Sequence, residues 1–208
     1  MDTIEQTRAV EGERESRSLT YGLEVEGESL RELLEGALTH THKDKSLPAL
    51  HAVMLEGEGG YLTARATDRY RLIVGKIEVL EGELTSSLVS VTDIKRIVAL
   101  SKESKISNKV SFNLVGDLLT VSVNGNSLTL TLVDANYPPS FDALLNKERR
   151  AELGEINFNP AFMADYAKIA GKGNAVRVEF MGEGKPMMIH LPITKVEWQA
   201  LLMPMRVK

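Results

Sequence analysis

The sequence predicts an α+β protein built from three units of one plan: a short strand, a capped amphipathic helix, then a group of alternating strands. Three observations predict it. Helical and two-residue apolar periods follow one another in the same order three times along the chain. The candidate helix caps Ser29, Thr92 and Asn159 stand 63 and 67 positions apart, a spacing that a repeated module gives. The strand segments alternate apolar with polar residues, as half-buried antiparallel strands do and doubly covered parallel strands do not. Identity between the units is weak, so an ordinary α+β domain with three helices is the competing reading.

In the first unit, residues 19–26 alternate as a strand, and Ser29 opens a helix with Leu30, Leu33, Leu34, Ala37 and Leu38 on one stripe. Strands follow at 50–56, 61–66 and 70–79, with glycines at 57, 59 and 60 marking the first turn. In the second unit, residues 87–91 read as a strand, Thr92 as an N-cap, and Ile94, Ile97, Val98 and Ser101 as the inner helix face. Three alternating strands come next: Val110, Phe112 and Leu114; Leu119, Val121 and Val123; and, after the Asn124-Gly125-Asn126 turn, Leu128, Leu130 and Leu132. The third unit begins with a strand at Ile156 and Phe158. Asn159-Pro160 then caps a helix with Phe162, Met163, Tyr166, Ile169 and Ala170 on its apolar face. Strands at 175–180, 187–191 and 198–203 complete it. Residues 1–17, rich in charge and free of aromatics, read as a mobile extension.

The 208 residues, 43% hydrophobic and 26% charged, suffice for one generous domain or one and a half compact ones. With no cysteine, structural disulfides, thiolate nucleophiles and sulfur-based zinc sites are excluded, and a cytoplasmic setting is the expectation. A net charge of −4 argues against coating nucleic acid through overall charge, so any such contact must be a local basic face. No apolar run approaches the roughly 18–20 residues of a membrane span, and no secretory leader is visible.

Signals for chemistry are weak. His40 and His42 lie two apart with no acidic residue completing a metal set, and His51 and His190 read as structural histidines. The glycine-lysine stretches at 171–173 and 182–185 lack the spacing of a phosphate loop and read as turns. Asp68 and Asp165 have no evident partner for acid/base work. The expectation is therefore a protein that is not an enzyme and needs no cofactor or metal.

Two features stand out instead. The second helix region carries Lys95, Arg96, Lys102 and Lys105 against Asp93 and Glu103, and the third carries Lys168 and Lys172 against Asp165. This is either an ordinary solvated face or a surface for phosphates, where lysine and arginine attract without reading sequence. The chain also stays apolar from Leu201 through Met205, which reads as an adaptable apolar surface or as a final edge strand packed into the core.

Three segments carry a resemblance to a known family: residues 62–72 (LTARATDRYRL), 134–138 (DANYP) and 202–206 (LMPMR). With the repeat pattern, they make the chain resemble the bacterial sliding clamp, the β subunit of DNA polymerase III. The resemblance implies clamp-type repeats amounting to about one and a half clamp domains. Residues 18–145 would form one complete domain of two half-units, about 18–82 and 83–145. Residues 146–208 would form a half domain ending in a partner-binding C-terminus. Carried over by motif, one wall of a partner-peptide pocket is Leu50, Thr67, Arg71, Leu72 and Pro138. The other is Leu201, Leu202, Met203, Pro204, Met205 and Arg206. Arg69 and Tyr70, and the absence of basic residues after Pro138, depart from the family pattern and point to a different peptide preference.

The implied function is a processivity factor that tethers a polymerase and clamp-loader-like proteins, through short clamp-binding peptides, to duplex DNA bound without sequence preference. Lys95, Arg96, Lys102, Lys105, Lys168 and Lys172 would face that DNA. A ring would need a homo-oligomer of three or four chains, while a clamp-derived peptide-binding adaptor that never encircles DNA is the alternative.

Overall fold

A computed structural model describes residues 20–102, 109–138, 156–182 and 184–205. The elements run β1 (Thr20–Glu26), α1 (Gly27–Leu38), β2 (Ala52–Glu58), β3 (Tyr61–Thr67) and β4 (Arg71–Gly82) in the first unit. The second has β5 (Leu84–Ser90), α2 (Val91–Ser101), β6 (Lys109–Val115), β7 (Leu118–Val123) and β8 (Asn126–Thr131). The third has α3 (Pro160–Ala170), β9 (Arg177–Phe180), β10 (Met187–His190) and β11 (Glu197–Leu202). The expected extension at residues 1–17 lies outside the described residues.

Two helix starts fall earlier than the sequence suggested. The Glu26 carboxylate accepts from the Ser29 backbone N–H at 2.6 Å, so Glu26, and not Ser29, caps α1. Likewise the Ser90 hydroxyl accepts from the Asp93 N–H at 3.1 Å, so Ser90 replaces Thr92 as the cap of α2. In both, the capping residue is the last of the preceding strand, whose extended backbone suits an N-cap. Asn159 caps α3 as expected, with its side-chain oxygen 3.0 Å from the Ala161 N–H. The strand expected at Ile156 and Phe158 is absent: residues 156–159 belong to no strand.

The first two units interlock. Each lends its first strand to the other: β1 pairs with β6 and β5 pairs with β2, both antiparallel. The resulting path β5-β2-β3-β4-β1-β6-β7-β8 passes through β4, whose Val79–Gly82 end pairs with β1. The Arg71–Lys76 end of β4 pairs with β11, so the third unit joins the first through the last strand of each. Helices α1 and α2 pack together on the inner side, and α1 lies against β3 and β4.

Strand alternation then divides the side chains. Ile73 and Ile77 of β4, with Trp198, Ala200 and Leu202 of β11, enter the main core beside Leu30, Leu33, Leu34 and Ala37 of α1. Leu72 and Leu201 face the other way and form a small outer cluster with Met188. The junction demands two glycines. A Cβ on Gly75 would stand 2.3 Å from the Trp198 ring, and one on Gly36 would stand 2.4 Å from it. The indole is thus clamped between α1 and β4, which fixes β11 in register.

Candidate functional site

The turn from β3 to β4 is set by its own polar side chains. Thr67 Oγ1 donates to the Arg71 carbonyl at 2.8 Å and accepts from the Arg69 N–H at 3.1 Å. Asp68 Oδ1 accepts from the backbone N–H groups of Tyr70 and Arg71, each at 3.1 Å. These bonds hold Arg69 at a φ of 78°, a left-handed conformation costly for a side chain, and lift Arg69 and Tyr70 above the sheet.

Beneath that turn the outer face of the sheet is hollowed into a groove of about 250 Å³. Leu50, Thr67, Leu72 and Leu201 are buried in its floor, and Tyr70, Met203, Arg69, Pro138 and Pro186 form its sides. Leu72 and Leu201 face each other across the β4–β11 ladder, so the floor exists only where the third unit meets the first. A second hollow of about 310 Å³ continues from it, sharing Leu50, Arg69 and Pro138 and adding Leu47, Pro48, Ala49 and Asn136. The joined surface is long, shallow and mainly apolar.

All five residues expected on the first wall, Leu50, Thr67, Arg71, Leu72 and Pro138, line this groove. The expected second wall divides. Leu201 and Met203 line it, whereas Leu202 does not: the two-residue period of β11 turns Leu202 inward, where it is fully buried in the main core. Pro204 and Met205 stand beyond the lining; Met205 is 55% exposed, and its backbone N–H bonds the Asn157 carbonyl at 2.7 Å. Arg206 lies outside the described residues. Pro186 carried no pocket signal in the sequence, while Arg69 and Tyr70 stood out only as departures from a pattern.

Arg71 ties the groove to the helices. Its Nε donates to Asp68 at 3.0 Å, Nη1 to Asp165 of α3 at 2.5 Å and Nη2 to the Thr39 carbonyl at 2.7 Å. The Phe162 ring lies 4.4 Å from the guanidinium carbon, within cation–π range. Asp68 and Asp165, which seemed partnerless in sequence, are thus the two carboxylates of a buried arginine. Burial works against the Asp165 charge, but hydrogen bonds and charges from Lys168 and Arg71 outweigh it and hold its carboxyl below the usual range.

Next to this cluster lies His40, wholly buried, with Nδ1 2.7 Å from Thr39 Oγ1 and its ring 5.0 Å from that of Tyr166. Desolvation first, and the Arg71 charge second, push its pKa down to about 3, so the ring is neutral at physiological pH. Burial raises the Tyr166 hydroxyl, which donates to the Leu201 carbonyl at 3.0 Å. His51 Nδ1 lies 2.7 Å from the His42 carbonyl and His190 Nε2 2.9 Å from Glu179, in keeping with structural roles.

On the helix side, Arg71 and Tyr70 also border a cleft of about 820 Å³ between α3, the start of α2 and the loop after α1. Lys43, Lys95 and Lys168 stand around it. Of the expected basic set, Lys95, Arg96, Lys102, Lys168 and Lys172 are exposed, and Lys105 lies outside the described residues. Two are engaged locally, Arg96 with Asp93 at 2.8 Å and Lys168 with Asp165 at 2.6 Å. Lys43 was missed, because it lies in the loop after α1, off the helix faces that carried the basic pattern. Helix α1 carries Glu28, Glu32 and Glu35 against Arg31, and the loop before β11 answers them: Lys195 bonds Glu28 and Thr194 bonds Glu32.

A family model described as the DNA polymerase III beta subunit, central domain, matches residues 3–139. The beta sliding clamp of Micrococcus luteus is 31% identical over 116 residues, which are 55% of this chain and 37% of that protein. Among solved structures, the DNA polymerase III beta subunit of Thermotoga maritima superposes with a TM-score of 0.77 at 17% identity, covering 90% of this chain and 66% of that one. The DNA polymerase sliding clamp of Caulobacter crescentus gives 0.79 at 16% identity with the same coverage. The chain therefore spans little more than a third of that curated relative and just under two thirds of those two structures.

Proposed function

Because the chain belongs to the DNA polymerase III β-subunit family and has the sliding-clamp fold, we propose that it is a non-enzymatic clamp that tethers replication proteins to duplex DNA. The observation that carries this reading is the groove, in which Leu50, Thr67, Leu72 and Pro138 from one part of the chain meet Leu201 and Met203 from another. An apolar floor with an arginine and a tyrosine at its side suits a short extended peptide with one polar and two bulky apolar anchors. The adjoining hollow around Leu47 and Pro48 takes the second anchor. Residues 18–145 act as one complete clamp domain in two half-units, and residues 146–208 as a half domain.

Lys95, Arg96, Lys102, Lys105, Lys168 and Lys172, joined by Lys43, supply the charge that meets phosphates without reading bases, which leaves the protein able to slide. A polymerase or clamp-loader-like partner held in the groove stays near the primer end, and its high effective concentration turns dissociation into rapid rebinding. An adaptor that binds the same peptides without encircling DNA is the second reading, favoured by a groove whose lining comes wholly from this chain.

Calorimetric titration with a hexapeptide bearing one glutamine followed by leucine and phenylalanine tests the groove. Met203→Ala is expected to weaken binding at least about tenfold, or ~1.4 kcal/mol, while Leu118→Ala on the remote β6–β7 hairpin leaves it unchanged. Equal affinity for Met203→Ala and the unaltered protein refutes the assignment. Preferential retention on closed circular over linearised DNA separates a ring from an adaptor.

A further inference from the structure

The first two units show how a unit of this plan is finished. Each gives its first strand to the other, and each covers the other's helix. The register is the same in both exchanges: the helix cap lies opposite the first residue of the receiving strand, Glu26 opposite Lys109 and Ser90 opposite Ala52. The third unit has α3 and its three strands but, among the described residues, no second unit of its kind.

Its unfinished surfaces are those the exchange would cover. Strand β9, equivalent to β2 and β6, pairs only with β10 among the described residues. Residues 156–158 alternate as a strand should, yet belong to none. Helix α3 buries only Tyr166 and Ala170, where α1 fully buries four apolar side chains. Phe158 and Phe180 are each 39% exposed. The connection from Thr131 to Ile156 spans 25 positions, too few for a whole further unit when the caps Glu26 and Ser90 stand 64 apart.

We propose that the third unit is completed by the third unit of a second copy of this chain, about a twofold axis, with residues 156–158 of each copy laid along β9 of the other. The occupant is a second copy because two units of this plan already associate in this way within the chain. An isologous contact gives both copies the same strand partner and helix cover at once. The internal register fixes the pairing: Asn159 opposite Arg177, Phe158 opposite Val178, and Ile156 opposite Phe180 of the other copy. The two sheets then run on into one another, and α3 packs on α3. The inference does not depend on what the groove or the basic helices bind.

Light scattering on the whole chain over a dilution series should give twice the 22.9 kDa chain mass, or an even multiple of it. Phe158→Glu with Phe180→Glu should halve that mass while the circular dichroism spectrum is kept, and Val115→Glu with Leu118→Glu, on the far hairpin, should not change it. The chain has no cysteine, so Phe158→Cys with Val178→Cys provides a clean second readout. Directly opposed strand residues are close enough for a disulfide, and a covalent dimer should form without reductant. A monomer at every concentration, an odd-numbered assembly, a dimer indifferent to the Phe158 and Phe180 changes, or failure to cross-link overturns the proposal.

Discussion

Replacing Arg71 by methionine keeps a long, flexible side chain and removes the charge that holds the third unit to the first. Three hydrogen bonds to acceptors disappear at once: to Asp68 at 3.0 Å, Asp165 at 2.5 Å and the Thr39 carbonyl at 2.7 Å, along with the stacking on Phe162. Counted separately at roughly 1.5–3 kcal/mol each, the bonds would sum to roughly 4.5–9 kcal/mol. They are not separate, since one guanidinium makes all three and Asp165 keeps Lys168 at 2.6 Å. Asp68, however, is left almost buried with no cation. The expected loss is that of breaking a buried pair from one side, about 3–5 kcal/mol. With a urea slope of roughly 2 kcal/mol per molar, the midpoint falls by about 2 M. Asp165→Asn should cost less, about 1–2 kcal/mol, and the double variant should fall short of the sum by at least about 1 kcal/mol, because both remove the same bond. Arg71→Lys should not restore stability, because an ammonium cannot span three acceptors in a fork. A loss below about 1 kcal/mol for Arg71→Met, or strict additivity with Asp165→Asn, refutes the role given to Arg71.

His40 should make stability depend on pH near neutrality. In the unfolded chain it titrates near its ordinary 6.5, but in the fold only at about 3, so between these values the unfolded state binds the extra proton. Stability is therefore retained above pH 6.5 and lost as pH falls toward 3, by about 2 kcal/mol between pH 7.5 and 5. Urea midpoints at those two values should show this drop in the unaltered protein and lose most of it in His40→Gln; an equal drop in both disproves it. Changing Lys95, Lys102 and Lys168 together to alanine should flatten the dependence of log affinity for duplex DNA on log salt by about 2–3, at about 0.9 per lost phosphate contact. An unaltered slope means that these helices do not meet DNA.

Much of the fold was legible because each strand has one wet face. The alternation of Val110, Phe112 and Leu114, or of Leu119, Val121 and Val123, gives strand and inner face together, and these positions are buried as their period requires. Helix starts were less legible, because the caps are strand residues, and Glu26 is an unusual cap that only its bond to Ser29 reveals. Local pattern also promised a strand at Ile156 and Phe158, but a strand needs a neighbour to bond to, and pattern cannot supply one. In the groove, Leu201 and Leu202 looked equivalent as neighbours in a motif. The strand period separates them, sending Leu201 outward and Leu202 into the core. The Arg71 cluster was hidden because its members lie 94 positions apart, and no local spacing relates Arg71 to Asp165.

The proposed tethering role requires holding two things without making them compete, and the sheet at the junction of the first and third units has the geometry for it. Because side chains alternate across β4 and β11, Leu72 and Leu201 open outward while Ile73, Ala200 and Leu202 seal the side that carries the helices. A ligand on the outer face and a phosphate backbone at Lys95 and Lys168 would therefore be separated by the thickness of a sheet, except at one place. Arg71 and Tyr70 border both the groove and the helix-side cleft. Arg71 is held there by carboxylates from the β3–β4 turn and from α3, so movement of α3 would be felt first at the end of the groove nearest Tyr70. Occupancy of the two faces should thus be nearly independent in the unaltered protein, with any coupling passing through Arg71 and Asp165. Peptide affinity measured with and without duplex DNA decides this: a large difference that persists in Asp165→Asn would mean the faces communicate by some route other than this ion pair.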